Sequence, residues 1–289
     1  MSKQPLGEVF GFPISNRGSR AKRYVKDKLC PYNNIVSSCT KNSIENPLGV
    51  CSILHNDAPV IVCPVRFRED WAIVSDAAEF VLDQTSAWTH VGEVRLTDKH
   101  GKSAGNIDYV LVSYDEKGRV IDFGSLEVQA VYISGNLTGP FEAFLESQSK
   151  SFTWDKALKY PKPDYLSSSR KRLIPQIIAK GSILKQWKKK QAVAMQTSFY
   201  ETLPKMVEVD RSIADFAFFL YDLEFDQKSK EYNLRKQRVI YTQFNNVLKQ
   251  IANFEAGPIE KFTKILQTKL DKKRNGAAET IEPDSLVVE

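Results

Sequence analysis

Between Gly101 and Asn136 the chain reads GKSAGNIDYVLVSYDEKGRVIDFGSLEVQAVYISGN. IDYVLVSYD and RVIDFGSLEVQAVYI are rich in β-branched and aromatic residues, and the joint at Glu116, Lys117 and Gly118 is polar with a glycine, which predicts a hairpin. Side chains in a strand alternate faces, so Glu127 and Gln129 point one way while Leu126, Val128 and Ala130 point the other, towards apolar packing. Asp108, early in the facing strand, falls beside the polar pair.

Elsewhere the period changes. From Val65 to Val81 apolar residues recur at partly helical spacing, which predicts a helix on the sheet with Arg66, Arg68, Glu69 and Asp70 at its entrance. TSAWTHVGEVRL comes next and carries Glu93, fifteen residues before Asp108. Phe141 to Tyr165 reads as a helix and then a connector with Pro161 and Pro163. SSSRKRLIPQIIAKGSILKQW opens on capping serines and sets Leu173, Ile177, Ile178, Ile183 and Leu184 at helical spacing, with Pro175 fitting only near the helix start. QAVAMQTSFYE predicts a strand, and DFAFFLYDLEFD and YNLRKQRVIYT flank a polar DQKSKE turn as a second hairpin. PIEKFTKILQTKLDKK is an amphipathic closing helix, and from about Asn275 the chain is polar and expected to fray. Strands alternating with helices give the α/β class, a mixed sheet flanked by helices.

With 289 residues, 42% hydrophobic and 26% charged, the chain has the composition of an ordinary globular protein with one substantial core and small attachments. MSKQPLGEVF lacks an apolar signal core, and no run approaches the roughly 18 apolar residues of a membrane span, so a cytoplasmic location without membrane contact is expected. A net charge of +6 favours polyanions without proving one. The distribution is more telling. Arg17, Arg20, Lys22, Arg23, Lys26 and Lys28 surround a single acid, Asp27, as a phosphate-neutralising arm or as a solvated helix face. Arg170 to Lys190 holds eight basic residues and no acid, the strongest bias in the chain.

All four cysteines fall between residues 30 and 63, at Cys30, Cys39, Cys51 and Cys63, in a loop-rich stretch with little apolar material. A reducing compartment disfavours disulfides, and clustering argues for one shared site. Four thiolates around one ion imply tetrahedral zinc or iron, closed to water and therefore structural, and the spacing does not choose between the metals. His55, His90 and His100 lie too far apart in sequence for a paired-histidine motif and are assigned to no metal.

Two carboxylates and an amide on an otherwise apolar sheet need a cation, since a buried unpaired charge costs several kcal/mol. Mg²⁺ takes one or two carboxylates plus waters and phosphate oxygens, the inventory offered by Asp108, Glu127, the Val128 carbonyl and a phosphodiester. An acid followed by Glu-x-Gln is a variant of the PD-(D/E)xK nuclease arrangement, with Gln129 in place of the usual lysine. The strings EVRLTDKHGKSAGNIDYVLV and LEVQAVYISGN, together with upstream CPYNN, NPLGVCS and CPVRFREDW, resemble the NotI family of type II restriction endonucleases. The likeness runs from about Cys30 to Asn136 and continues more loosely through DYLSSSRKRLIPQ to ETLP.

That resemblance implies a PD-(D/E)xK nuclease core with a small four-cysteine module, iron on the four cysteines, and a fourth acidic active-site position at Glu93. It also implies a GC-rich palindromic target with a GGCC core, and a cognate DNA methyltransferase in the host. A palindrome cut on both strands needs two active sites, hence a two-fold homodimer. The expected organisation is a basic N-terminal arm (1–28), a four-cysteine metal-binding module (29–66), a nuclease core (67–274) with a basic DNA-contacting region around 168–190, and a polar tail (275–289). Asp108 and Glu127 would hold Mg²⁺, and Gln129 would position the attacking water. Arg66, Arg68 and Arg95 are candidate base readers, because arginine favours guanine, although for Arg66 and Arg68 pairing with Glu69 and Asp70 is the commoner outcome. Lys102, Arg170, Lys171 and Arg172 are candidate phosphate contacts. Two other readings stay open: a metal-stapled DNA-binding regulator that does not cut, and a nuclease acting on RNA or damaged DNA.

Overall fold

The structure is a computed structural model that describes residues 5–83, 85–147, 160–253 and 256–278. Two compact units divide the chain, Met1–Ile251 and Ala252–Glu289. The first opens with β1 (Leu6–Val9), β2 (Phe12–Pro13), α1 (Ser19–Lys26), β3 (Val50–His55) and β4 (Ala58–Ile61), succeeded by a 3-10 helix (Pro64–Trp71) and α2 (Ala72–Val81). Next come β5 (Ala87–Thr97), β6 (Ser103–Tyr114), β7 (Val120–Gln129), β8 (Ile133–Ser134), α3 (Thr138–Ser147), β9 (Lys162–Pro163) and α4 (Tyr165–Ser168). A π-helical turn (Ser169–Leu173) leads into α5 (Ile174–Gln186), and then to β10 (Gln191–Gln196), α6 (Thr197–Tyr200), β11 (Phe216–Asp226), β12 (Glu231–Thr242) and α7 (Phe244–Ala252). The second unit holds α8 (Ile259–Ala278), whose Ile259, Phe262, Ile265, Leu266 and Leu270 are exposed.

The large sheet has the order β12-β11-β10-β7-β6-β5. Its two outer pairs are antiparallel hairpins, while β10 runs parallel to both β7 and β11. β10 is buried at all six positions, as a central parallel strand covered on both faces should be. Even positions Ala192 and Ala194, with Ala217, Leu111 and Leu126, form a low surface on which α2 packs through Ile73, Val74, Ala77 and Phe80. Odd positions Val193 and Met195, with Phe216, Phe218 and Leu220, face a second core supplied by α5, α7 and the small sheet β2-β1-β3-β4. The Gln196 amide latches the two sheets, accepting from Ile61 N at 2.9 Å and donating to Pro59 O at 2.7 Å.

Several expectations are revised. The first 28 residues are no free arm, since β1 pairs with β3 and only α1 keeps the basic face. The single helix expected over 65–81 is broken at Glu69, Asp70 and Trp71, where Asp70 and Trp71 take φ of 50° and 55°. The break lets the Glu69 carboxylate turn inward to accept from Leu234 N and from Arg66, while Trp71 stacks on His90 at 4.5 Å. α8 carries the chain past Asn275 to Ala278, and the rest of the expected tail lies outside the described residues, as does much of the connector after α3.

Arg66 sits at the meeting point of these parts. Fully buried, it donates from Nε to Glu8 on β1 at 3.0 Å, from Nη1 to Glu69, and from Nη2 to Tyr232 O at 2.8 Å, with the Tyr32 ring 4.1 Å away. Ser52 on β3 donates to the same Glu8 carboxylate at 2.8 Å, which completes a satisfied buried network. Its partners are all protein groups, which withdraws Arg66 from the candidate base readers. Replacing one member of a buried pair strands the other, so Arg66→Met should lower the unfolding free energy by about 3–5 kcal/mol in a urea titration. Glu8→Gln in the same background should recover part of the loss, and equal stability of Arg66→Met and the native chain would refute the network's role.

Candidate active site

The β6–β7 hairpin forms as predicted, with Tyr109 opposite Leu126. Asp108 is pinned to the neighbouring strand because its Oδ2 accepts from Val128 N at 2.7 Å. Glu127 is buried beside it. Its Oε2 accepts from Lys180 Nζ at 2.7 Å, and its Oε1 is buried with no hydrogen-bond partner. Burial, and next the adjacent Asp108 carboxylate, push Glu127 up to about 8 against the opposing pull of Lys180. Burial likewise raises Asp108, with Val128 N–H and Lys180 working the other way. Two acids are thus held together in a desolvated corner with one ammonium group between them and one lone carboxylate oxygen.

Gln129 is also buried, and its amide donates to Ala130 O at 2.7 Å. With Asp108, Arg172 and Gln176 it lines a cavity of about 530 Å³, whose other wall comes from Lys41, Asn42, Leu48, Val62 and Pro64. Glu93 lies between the ladder pairs Gly92↔Tyr109 and Val94↔Ile107, hence across from Asp108, and holds a φ of 56° inside an edge strand. A left-handed residue in a strand is a costly conformation of the kind that clusters at functional sites. Glu93 is near enough to push Asp108 up, yet it is exposed.

The basic candidates separate. Arg68 lies 5.7 Å from the centre of the Tyr109 ring and close enough to Asp108 to pull its carboxyl down. Arg95 is exposed on β5, opposite Asn106. Lys102 is exposed in the β5–β6 turn, where its N–H is held by Asp98. Six residues separate it from Asp108, roughly 20 Å along a strand, so it is not at the mouth of the site. Arg170, Lys171 and Arg172 are exposed on the π-helical turn, and Arg172 stacks on Tyr132 at 3.7 Å beside the cavity.

Among the described residues no group of three or more His, Cys, Asp or Glu is arranged to hold a metal ion. The four cysteines are not drawn together into such a ligand set. Cys51 instead turns its thiol toward Gly49 O at 3.8 Å. All four cysteines nevertheless line one small cavity under Arg66. Burial pushes the Cys30 thiol up to about 11, with Cys39 and Cys63 adding to the rise, and Cys51 is raised by burial and then by Cys63.

Lys180 was hidden in the basic run, where every lysine reads as a DNA-facing charge. The signal is its phase. Leu173, Ile177, Lys180 and Leu184 take the i, i+4, i+7, i+11 spacing of a buried stripe, and all four are buried. Gly181 lets this helix approach α7 and β10, since a Cβ there would stand 2.3 Å from the Phe244 ring and 2.8 Å from Gln191 Oε1.

A family model described as "Restriction endonuclease NotI" matches residues 9–234. No curated protein matches the chain. No helix among the described residues is long and apolar enough to cross a membrane.

The raised Glu127 gives a pH signature. Its folded value, about 8, exceeds the ordinary carboxylate value of 4.5, so the folded state holds a proton that the unfolded state releases. That contribution is complete below pH 4.5 and is lost as pH rises through 8, so stability without divalent ions should fall across this window. Glu127→Gln should flatten the decline by roughly a few kcal/mol in urea titrations at pH 5 and pH 8.5. An unchanged slope would show that the carboxyl is not held in this state.

Proposed function

The chain belongs to the NotI restriction endonuclease family, and we propose on that premise that it is a Mg²⁺-dependent enzyme that cuts both strands of a GC-rich palindrome with a GGCC core. Family membership makes it a site-specific deoxyribonuclease acting on double-stranded DNA. The observation that carries the finer reading is the crowded pair Asp108 and Glu127, with Glu127 Oε1 buried and unpartnered. A hard divalent cation fits that pair, because it would satisfy the lone oxygen and offset two neighbouring negative charges.

Asp108 and Glu127 would hold the ion, which when bound polarises the scissile phosphate and acidifies a water. Val128 N–H keeps Asp108 from rotating away, so one of its oxygens stays available. Gln129 carries no charge and serves to orient water by hydrogen bonds from the cavity wall. Glu93, across from Asp108 and with a left-handed backbone, would be the third acid and fourth residue of the site. Arg172, Arg170 and Lys171 would take phosphates along the cavity rim, and Arg68 and Arg95 remain candidate base contacts. Two such chains would act as a two-fold homodimer, with a host methyltransferase protecting the same sequence.

The four cysteines would bind one structural iron or zinc. Four cysteines lining one small cavity, with the Cys30, Cys39 and Cys51 thiols raised by burial and then by neighbouring thiols, suit a cation that keeps them as thiolates.

Incubation with plasmid and Mg²⁺ tests the reading. Discrete fragments are expected, whereas binding without cutting would favour a regulator and non-specific loss a general nuclease. Asp108→Asn should lower cleavage by at least about 10³-fold while target binding stays within a few fold, and full activity would overturn the assignment. Cys51→Ser should release the metal and lower the melting temperature, with elemental analysis of the native chain identifying iron or zinc. A metal-free native chain of equal stability would remove the structural site.

A further inference from the structure

The hairpin that carries Asp108, Glu127 and Gln129 offers no positive side chain to the two carboxylates. The charge comes from a different element. Lys180 on α5 is 3% exposed, and the described residues give its ammonium two acceptors, Glu127 Oε2 at 2.7 Å and Gln176 Oε1 at 3.1 Å.

The path of the side chain is built. Gly105 on β6 has a φ of +103°, and a Cβ at that position would stand 3.3 Å from Lys180 Cε. Gly181, next in the chain, lets α5 sit against Phe244. Gln176, one turn before Lys180, lines the cavity beside Asp108, and Arg172, one turn earlier again, stacks at its rim. The spacing of four places Gln176 and Lys180 on one face of α5, with Arg172 on the π turn before it.

A carboxylate oxygen that accepts no hydrogen bond is the one most open to an ion. Here one oxygen is held and the other is bare. We propose that Lys180 is a positioning residue of the phosphodiesterase site: by holding Glu127 through Oε2 it aims Oε1 at the divalent cation, and it supplies the counter-charge that the hairpin lacks. Gln129 then keeps a separate task at the cavity wall. This inference rests on the nuclease reading above and deepens it.

The full-length chain and three variants, Lys180→Met, Lys180→Arg and Asp108→Asn, are compared by plasmid cleavage with Mg²⁺, by anisotropy with target duplex, and by Mn²⁺ binding without DNA, read from the loss of the free-ion paramagnetic signal. Lys180→Met should cut about 100-fold more slowly with duplex affinity unchanged, a loss in kcat and not in KM. Its Mn²⁺ affinity should fall about tenfold, since Glu127 is no longer aimed. Lys180→Arg, which keeps the charge, should recover at least about a tenth of the native rate. A folded Lys180→Met that cuts and binds Mn²⁺ as the native chain does overturns the proposal, and so does Lys180→Arg no better than Lys180→Met. Should Lys180→Met fail to melt cooperatively, Lys180→Gln replaces it in the same comparison. The two failures are distinct. A native chain that cuts no plasmid sinks the nuclease reading itself, whereas a dead Asp108→Asn beside an unimpaired Lys180→Met sinks only the role of Lys180.

Discussion

Two carboxylates and an ammonium group share a water-poor corner of the sheet, and the surrounding structure is arranged to hold them there. Like charges in low dielectric repel strongly, so Asp108 and Glu127 stay together only because each is tied to something else. Asp108 is tied to the backbone of the next strand, and Glu127 to a lysine from across the core. The second tie demands that α5 lie at a fixed height over β6 and β7. That height is set by a glycine against Phe244, by the buried stripe from Leu173 to Leu184, and by a central strand buried on both faces.

A second buried charge cluster does for the N-terminal module what Lys180 does for the site. Arg66 joins Glu8, Glu69 and the Tyr232 carbonyl, so strands from both sheets and the kinked helix between them meet at one guanidinium. Lys41 crosses the same module, donating to Val50 O at 2.7 Å and Val62 O at 3.1 Å. Lys41, Val62 and Pro64 then form the wall that faces Asp108 and Gln129 over the cavity. A structural metal on the four cysteines beneath would stiffen that wall further, which gives the proposed iron or zinc a purpose linked to the active site.

The hairpins and the central strand were legible because their signals are local: alternation over the β6–β7 text, and an unbroken apolar run from Ala192 to Met195 with polar turns nearby. The acids on β6 and β7 were legible for the same reason, since period two alone puts Glu127 and Gln129 on one face. The features that escaped were set by distant partners. Nothing in RFREDW states that Arg66 turns inward, because Glu8 and Tyr232 lie 58 and 166 residues away. The kink at Asp70 and Trp71 accompanies contacts of Glu69 with Arg66 and the distant Leu234, so a helical period ran on through it. The strands of residues 6–13 were missed because elements so short have no period to read, and β1 is held by pairing with β2 and with the distant β3.

Lys180 shows how composition and phase can point in opposite directions. As one of eight basic residues between Arg170 and Lys190 it looks like part of a solvent-facing charge field. Arg170, Lys171 and Arg172 do face solvent, on the π-helical turn that leads into α5. Lys180 shares their charge but falls on the buried side, where an ammonium is tolerated only against a carboxylate. One helix therefore presents positive charge on two sides. The exposed residues raise the local potential for a phosphate backbone without regard to sequence, and the buried one meets a single acid at one fixed distance. The exposed cluster lies within the π turn itself, whose wider winding shifts its side chains in phase against those of the regular helix beyond it. The exposed charge and the buried ammonium thus sit at different points of one continuous helical run, the first on the π turn and the second against Glu127.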